Sequence, residues 1–197
     1  RIREIVPEAA TQKVTAWDLG MSDSTAIWVA EMISGEVRVM DFYEASGESL
    51  DHYIKWLDEK GYRDYTHIMP HDVNVRELQT GKSRYQFLTE AGLDIEVAPK
   101  SSVEDGIQAV RRILPNCWFN KDKTRAGVEC LQNYRRVFNE KTSSFQNRPL
   151  HDWSSHAADA FRYLALGMDS AGNGQRTDWS KPFETTLDGD SYKDYYV

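Results

Sequence analysis

Cysteine is nearly absent: Cys117 and Cys130 are the only two in 197 residues. They stand alone, with no second pair, which excludes a four-cysteine zinc site and a disulfide framework and leaves two reduced core thiols. No run of about 18 apolar residues occurs, so no transmembrane helix is expected. The opening stretch from Arg1 to Pro7 has no apolar core and does not read as a secretory signal. It also has no initiator methionine, and the expectation is a chain cut from a longer protein. Internal repeats are missing. What remains is 40% hydrophobic, 28% charged and 12% aromatic, a soluble globular composition that argues against wholesale disorder. The length suits one domain, or one domain with an appendage.

A surplus of positive charge is lacking too. The net charge is −7, which makes strong unassisted nucleic-acid binding a poor expectation. The balance is uneven along the chain. Residues 1–75 hold 7 basic and 14 acidic groups, residues 76–148 hold 13 and 9, and residues 149–197 hold 4 and 8. A basic middle therefore lies between acidic flanks, although an ordinary solvated surface accounts for any single charge.

Period and punctuation predict the elements. Val14 to Asp18 reads as a strand that ends on an acidic residue, followed by a turn over 19–24. Thr25 to Glu31 is a second strand, Ser34-Gly35 a turn, and Glu36 to Tyr43 a third strand. In that third strand Val37, Val39, Asp41 and Tyr43 alternate with Arg38, Met40 and Phe42. Short loops make the three an antiparallel meander. Helices are expected over Ser49 to Lys60, Ser83 to Ala91, Ser102 to Leu114, Thr124 to Asn139 and Ser155 to Met168. Short strands at Thr66 to Pro70 and Leu93 to Ala98 fall between them. The order predicts an α/β fold: a mixed sheet, three antiparallel strands and then parallel ones, with helices on both faces. Residues 1–12 read as a leader, 13–168 as the folded domain and 169–197 as a flexible acidic tail. Within that tail Tyr192, Tyr195 and Tyr196 are candidate partner anchors.

Three carboxylates stand out by position. Asp18 closes the first strand and Asp72 follows the fourth. Asp159 lies in a helix whose neighbours are Ala157, Ala158, Ala160, Phe161 and Leu164. His156, Asp159 and Tyr163 fall at i, i+3 and i+7, on one face of that helix. A buried carboxylate is costly unless paired or metal-bound. Three in one pocket cannot all stay ionised without cations, and hard Mg²⁺ or Mn²⁺ suits carboxylate oxygens. Two such ions about 3.5–4 Å apart can hydrolyse a phosphodiester. Simpler roles compete: Asp18 as a turn cap, Asp72 as a turn residue after Pro70, Asp159 paired with an arginine.

Four segments occur in a telling order: Val14-Thr-Ala-Trp-Asp18-Leu-Gly, Asp23-Ser-Thr-Ala-Ile, His67-Ile-Met-Pro-His-Asp72, and Ser155-His-Ala-Ala-Asp159-Ala-Phe-Arg-Tyr163. Together they resemble the nuclease domain of the large terminase subunit of tailed bacteriophages, from about Val14 to Gly167. The stretch from Gly106 to Leu114 and the helix around Leu131 to Tyr134 fit as well. The resemblance implies an RNase H-like fold and a metal-dependent endodeoxyribonuclease that cuts concatemeric double-stranded viral DNA during packaging. It implies Asp18, Asp72 and Asp159 as a triad for two Mg²⁺ or Mn²⁺ ions, with His156 as a fourth member. Asp23 is expected to shape the turn near the site and Asp152 to cap the last helix. The implied partners are an ATPase motor upstream, the small terminase subunit and the portal, with no membrane and with the host bacterial cytoplasm as location. A junction resolvase of the same fold and a non-catalytic docking module for a portal or motor remain open alternatives.

Two other signals fail. Gly81-Lys82-Ser83 resembles the end of a phosphate loop, but that motif needs a glycine at position 76, where Arg76 stands. ATP binding is therefore not expected of this chain, while Lys82 and Arg84 remain candidates for touching a DNA phosphate. His67, His71 and His151 match no zinc spacing, and a site dominated by Asp argues against zinc.

Overall fold

The computed structural model describes residues 1–5, 10, 12–20, 24–76 and 81–172. Nine strands and five α-helices follow one another among them. The strands are β1 (Ile2–Arg3), β2 (Gln12–Asp18), β3 (Ser24–Ile33), β4 (Glu36–Ser46), β5 (Thr66–Met69), β6 (Asp94–Val97), β7 (Cys117–Asn120), β8 (Arg136–Asn139) and β9 (Ser144–Pro149). The helices are α1 (Leu50–Lys60), α2 (Arg84–Glu90), α3 (Val103–Ile113), α4 (Arg125–Asn133) and α5 (Ser155–Gly172). Seven strands form one mixed sheet in the order β1-β7-β4-β3-β2-β5-β6. The meander of β2, β3 and β4 is antiparallel, while β5 runs parallel to β2, and β6 parallel to β5. The expected α/β fold with helices on both faces is the one observed.

Alternation in the central strands divides the core into two layers. Val14, Ala16, Ala26, Trp28 and Ala30 pack with Phe161 and Leu164 of α5. Trp17, Ile27 and Val29 pack on the opposite face with Tyr53 and Leu57 of α1 and Leu88 of α2. A sheet covered on both faces buries successive residues, so β3 reads as a continuous apolar run. Ser34 and Gly35 have φ of 51° and 82°, the paired positive values of a two-residue hairpin turn that matches strand twist.

Three expectations need correction. The alternation of the third strand does not run through. Val29 faces Asp41 but Ala30 faces Val39, so a bulge at Met40 adds a residue. Beyond it Phe42 joins the face of Val39 and lies 4.6 Å from the Trp28 ring, while Tyr43 turns to stack on Trp56 at 4.7 Å. The expected helix from Thr124 to Asn139 stops at Asn133, where Tyr134 takes extended backbone. The chain then forms the β8–β9 hairpin, with Phe138 and Phe145 paired across its strands. Finally β7, which no periodicity had marked, pairs with β4 on one side and β1 on the other. Both cysteines are free and buried, and burial pushes the Cys117 thiol up to about 12 and the Cys130 thiol to about 11. The tail tyrosines lie outside the described residues.

A buried polar chain fastens β5 to β2. His67 is fully buried. Its Nε2 stands 3.1 Å from the Arg63 carbonyl oxygen, which can only accept, so Nε2 carries the hydrogen. In the neutral ring Nδ1 then accepts from the Thr15 hydroxyl at 2.7 Å, and Thr15 Oγ1 in turn accepts from Trp17 Nε1 at 2.7 Å. Burial holds the imidazole below its ordinary pKa. The unfolded chain therefore takes up a proton that the folded ring refuses, and this stability is lost as pH falls through the ordinary histidine value near 6.5. Urea midpoints measured between about pH 7 and pH 5.5 should fall with acidity. That slope should flatten in His67→Gln.

Gly127 sets how closely α4 approaches the sheet. A Cβ there would stand 2.3 Å from Trp28 Cη2 and 2.7 Å from Phe42 Cγ. Both rings are wedged among other core residues, so neither yields easily. Gly127→Ala should cost about 1–3 kcal/mol despite its better helix propensity, because overpacking outweighs that gain. Chemical denaturation at neutral pH checks this, and a stabilised variant would contradict the packing.

Candidate active site

Two strand ends and one helix bring the acidic residues together. Asp18 is the last residue of β2. Asp72 sits in a 3-10 turn, His71–Asn74, just after the parallel neighbour β5. Parallel neighbours deliver their carboxyl ends to the same edge, the usual position for a ligand crevice in an α/β sheet. Helix α5 crosses the same edge and carries His156, Asp159, Arg162 and Tyr163. Its start is fixed by Asp152, whose Oδ1 accepts from the Ser154 backbone N–H at 2.9 Å and from its hydroxyl at 2.6 Å. These bonds hold the Asp152 carboxyl below its ordinary pKa, and the residue organises the turn into α5.

The contacts differ from the simplest helical expectation. His156 Nδ1 lies 2.9 Å from Asp18 Oδ2, so the imidazole bonds across to β2 and not along its own helix to Asp159. The His151 ring packs edge-on against it at 5.6 Å. Asp159 meets the buried Arg162, whose Nη2 is 2.8 Å and Nε 3.1 Å from Oδ1. The Tyr134 hydroxyl donates to the same oxygen at 3.4 Å. The arginine partner weighed for Asp159 is thus present. Asp72 is exposed; its backbone carbonyl accepts from the Val75 N–H at 2.9 Å, while its carboxylate makes no hydrogen bond or ion pair among the described residues.

The electrostatics tie these groups into one cluster. Burial raises the Asp18 carboxyl above its ordinary pKa, the His156 hydrogen bond opposes this, and the charges of Asp159 and Asp72 raise it further. The Tyr163 phenol is pushed up by burial and then by the charge of Asp18, with Arg162 opposing and Asp159 and Asp72 adding to the rise. Among the described residues no three His, Cys, Asp or Glu side chains already stand at metal-cage spacing. The donor set nevertheless suits a hard divalent cation: three carboxylates and one imidazole, with the ionised form of the central one disfavoured by its neighbours. A cation would draw these donors together.

Lys82 and Arg84 flank Ser83 at the start of α2. Gly81, with φ of 68°, leads into α2, where Ser83 and Gln86 form a reciprocal cap. The Ser83 hydroxyl is thereby engaged by the helix it starts. Lys82 pairs with Glu90 at 2.7 Å on the surface, and Arg84 Nη1 lies 3.4 Å from the Leu19 carbonyl, one residue after Asp18. Both line a cavity of about 390 Å³ that also includes Gly20, Ser49 and Phe87. Asp23, assigned to the turn near the site, lies outside the described residues. The structure adds Arg162 and Tyr134 as partners of Asp159, the first being the arginine weighed for it without a residue number, and keeps Tyr163 near the carboxylates, on the helix face where its spacing had put it. For the two on α5 the signal was their spacing from Asp159, at i+3 and i+4.

No protein-family model matches the chain, and no curated protein matches it. Solved structures do. The P22 large terminase nuclease domain is 16% identical, with a TM-score of 0.65 over 85% of this chain and 87% of that one. The nuclease domain of the large terminase from bacteriophage SPP1, solved with bound Mn, is 17% identical, with a TM-score of 0.60 over 86% and 96%. A large terminase from a thermophilic bacteriophage is 16% identical, with a TM-score of 0.65 over 85% of this chain. The chain spans 42% of that longer terminase. At these identities the likeness establishes the fold, an RNase H-like fold of the kind found in terminase nuclease domains.

The coupling between Asp18 and Asp159 has a measurable consequence. Asp159→Asn removes a charge that raises the Asp18 pKa and leaves the Arg162 charge unpaired nearby. Both changes favour ionised Asp18, so its pKa should move down. A carbon-13 carboxyl titration of metal-free protein reads this directly. An unmoved Asp18 would separate the two groups.

Proposed function

We propose that this chain is the nuclease domain of a large terminase, a divalent-metal-dependent DNA endonuclease. The observation that carries the reading is the meeting of Asp18, Asp72 and Asp159 at one sheet edge, in a fold whose SPP1 representative was solved with Mn. In this reading Asp18 is the shared ligand, with Asp159 beside it for one ion and Asp72 for another. Bound cations of the Mg²⁺ or Mn²⁺ type would neutralise charge on the phosphoryl oxygens and acidify water. His156 orients Asp18 through Nδ1 and, in this reading, is the fourth member of the site. Tyr163 and Arg162 wall the site on the helix side, and burial there strengthens each electrostatic contact. Arg84, which reaches the Leu19 carbonyl next to Asp18, and Lys82 are taken as DNA-phosphate contacts in this reading, on the strength of their charge.

The wider role follows from the same reading. The substrate is concatemeric double-stranded DNA cut during viral packaging, in the host bacterial cytoplasm. In the full-length protein an ATPase motor precedes this domain, and the small subunit and portal are its partners.

Nicking of supercoiled plasmid should require Mg²⁺ or Mn²⁺ and stop in EDTA. Asp18→Asn, Asp72→Asn and Asp159→Asn should each lower the rate by more than about 100-fold, because each removes an anionic ligand; the melting temperature should hold in Asp18→Asn and Asp72→Asn and fall in Asp159→Asn, which strips the buried Arg162 of its charge partner. Lys82→Glu with Arg84→Glu should raise the DNA concentration needed, with metal dependence unchanged. A strong preference for four-way junctions would favour a resolvase. Metal-independent or absent nicking by well-folded protein would favour a docking module.

A further inference from the structure

The surroundings of Asp159 are lopsided. Arg162 Nη2, Arg162 Nε and the Tyr134 hydroxyl all converge on Oδ1, and among the described residues nothing bonds Oδ2. Arg162, which makes this clamp, is 8% exposed and packs against Gly106 of α3. Its seat depends on Gly106: a Cβ there would stand 3.2 Å from both Arg162 Cδ and Arg162 Nη1. A side chain that large, buried and held by its own carboxylate is not a mobile surface charge.

We propose that Arg162 is a positioning residue that occupies one oxygen of Asp159, so that this carboxylate meets a cation through Oδ2 alone. The inference rests on the metal-site reading above. Its chemical consequence is selectivity. Small cations such as Mn²⁺ and Mg²⁺ demand a tight octahedral shell, which single-oxygen carboxylates suit. Ca²⁺ accepts more oxygens and takes carboxylates through both at once. A pinned Asp159 therefore disfavours Ca²⁺ relative to Mn²⁺. Released from the clamp, the same carboxylate turns freely, loses its preset orientation for Mn²⁺ and gains a second oxygen for Ca²⁺. Charge alone predicts the opposite pattern, since removing a nearby cation should tighten every divalent ion together.

Calorimetric titration of the protein with MnCl₂ and with CaCl₂, well below its melting temperature, tests this. In Arg162→Gln the Mn²⁺ affinity should fall by about tenfold, the scale of losing a partner that orients a ligand, and Ca²⁺ affinity should fall less or rise. The Mn²⁺ to Ca²⁺ affinity ratio should narrow accordingly. Gly106→Ala keeps the arginine but crowds its seat, and should narrow the ratio in the same direction; it also stands in if Arg162→Gln fails to fold. A ratio unchanged in folded variants, or both affinities rising together, overturns the proposal. Asp18→Asn separates this failure from a deeper one. If Asp18→Asn binds Mn²⁺ as the unsubstituted protein does, or if that protein binds none, the metal-site reading itself falls.

Discussion

Helix α5 lies on β2 and β3 through very small residues, and that close seat places the chemical groups. Ala157 and Ala160 are fully buried, facing Ala16, Ala26 and Ala30 on the sheet. At the far end Gly167 comes so near β5 that a Cβ would stand 2.6 Å from Ile68 Cδ1. Trp28 Nε1 bonds the Ala157 carbonyl oxygen at 2.7 Å, fastening helix to strand at the level where His156 begins its reach. A larger side chain along this seam would crowd the helix against the sheet, and the 2.9 Å contact between His156 and Asp18 depends on that close seat. Interiors this dense do not absorb an extra methyl without movement.

The parts of the fold that were legible share a property: their pattern was enforced by burial. The meander showed itself because β2 and β3 are covered on both faces, and the Ser34-Gly35 turn because its backbone needs positive φ. The missed parts were harder to see for separate reasons. Strand β7 does alternate, with Cys117 and Phe119 buried, but it is squeezed between the Pro115 helix stop and the polar run from Asn120 to Lys123, which reads as a connection between two helices. The hairpin β8–β9 is exposed along much of its length. Its Tyr134, Val137 and Phe138 follow Leu131 at helical intervals, so the local period favoured a helix until Tyr134 broke it. The bulge at Met40 was invisible for another reason. It is decided by which residues oppose each other across strands, and one strand read alone holds no such information.

At the site the sequence showed which side chains stood out and not what they touch. Asp18 and Asp72 were marked by ending or following strands, and Asp159 by its apolar surroundings. Spacing along α5 put His156 and Asp159 on one face, but the distance from that face to β2 is a packing outcome, and it gave His156 to Asp18. Arg162 shows the same limit. Its place three residues after Asp159 is plain in the sequence, whereas its packing against α3 depends on Gly106, more than fifty positions away.

The sheet order also assigns unequal mechanical character to the three carboxylates. Strand β2 is interior to the sheet, flanked by β3 and β5, and four successive residues from Val14 to Trp17 are buried. Amide hydrogens there exchange only when most of the domain opens, since protection follows burial and bonding on both sides. Asp159 rides on a helix seated in the same core. Asp72 instead belongs to an exposed turn at the carboxyl end of a four-residue strand, where local opening is far less demanding. Two carboxylates are thus carried by elements seated in the core. The third is exposed on a short turn anchored by the buried Val73, so it is the one of the three that solvent reaches most readily.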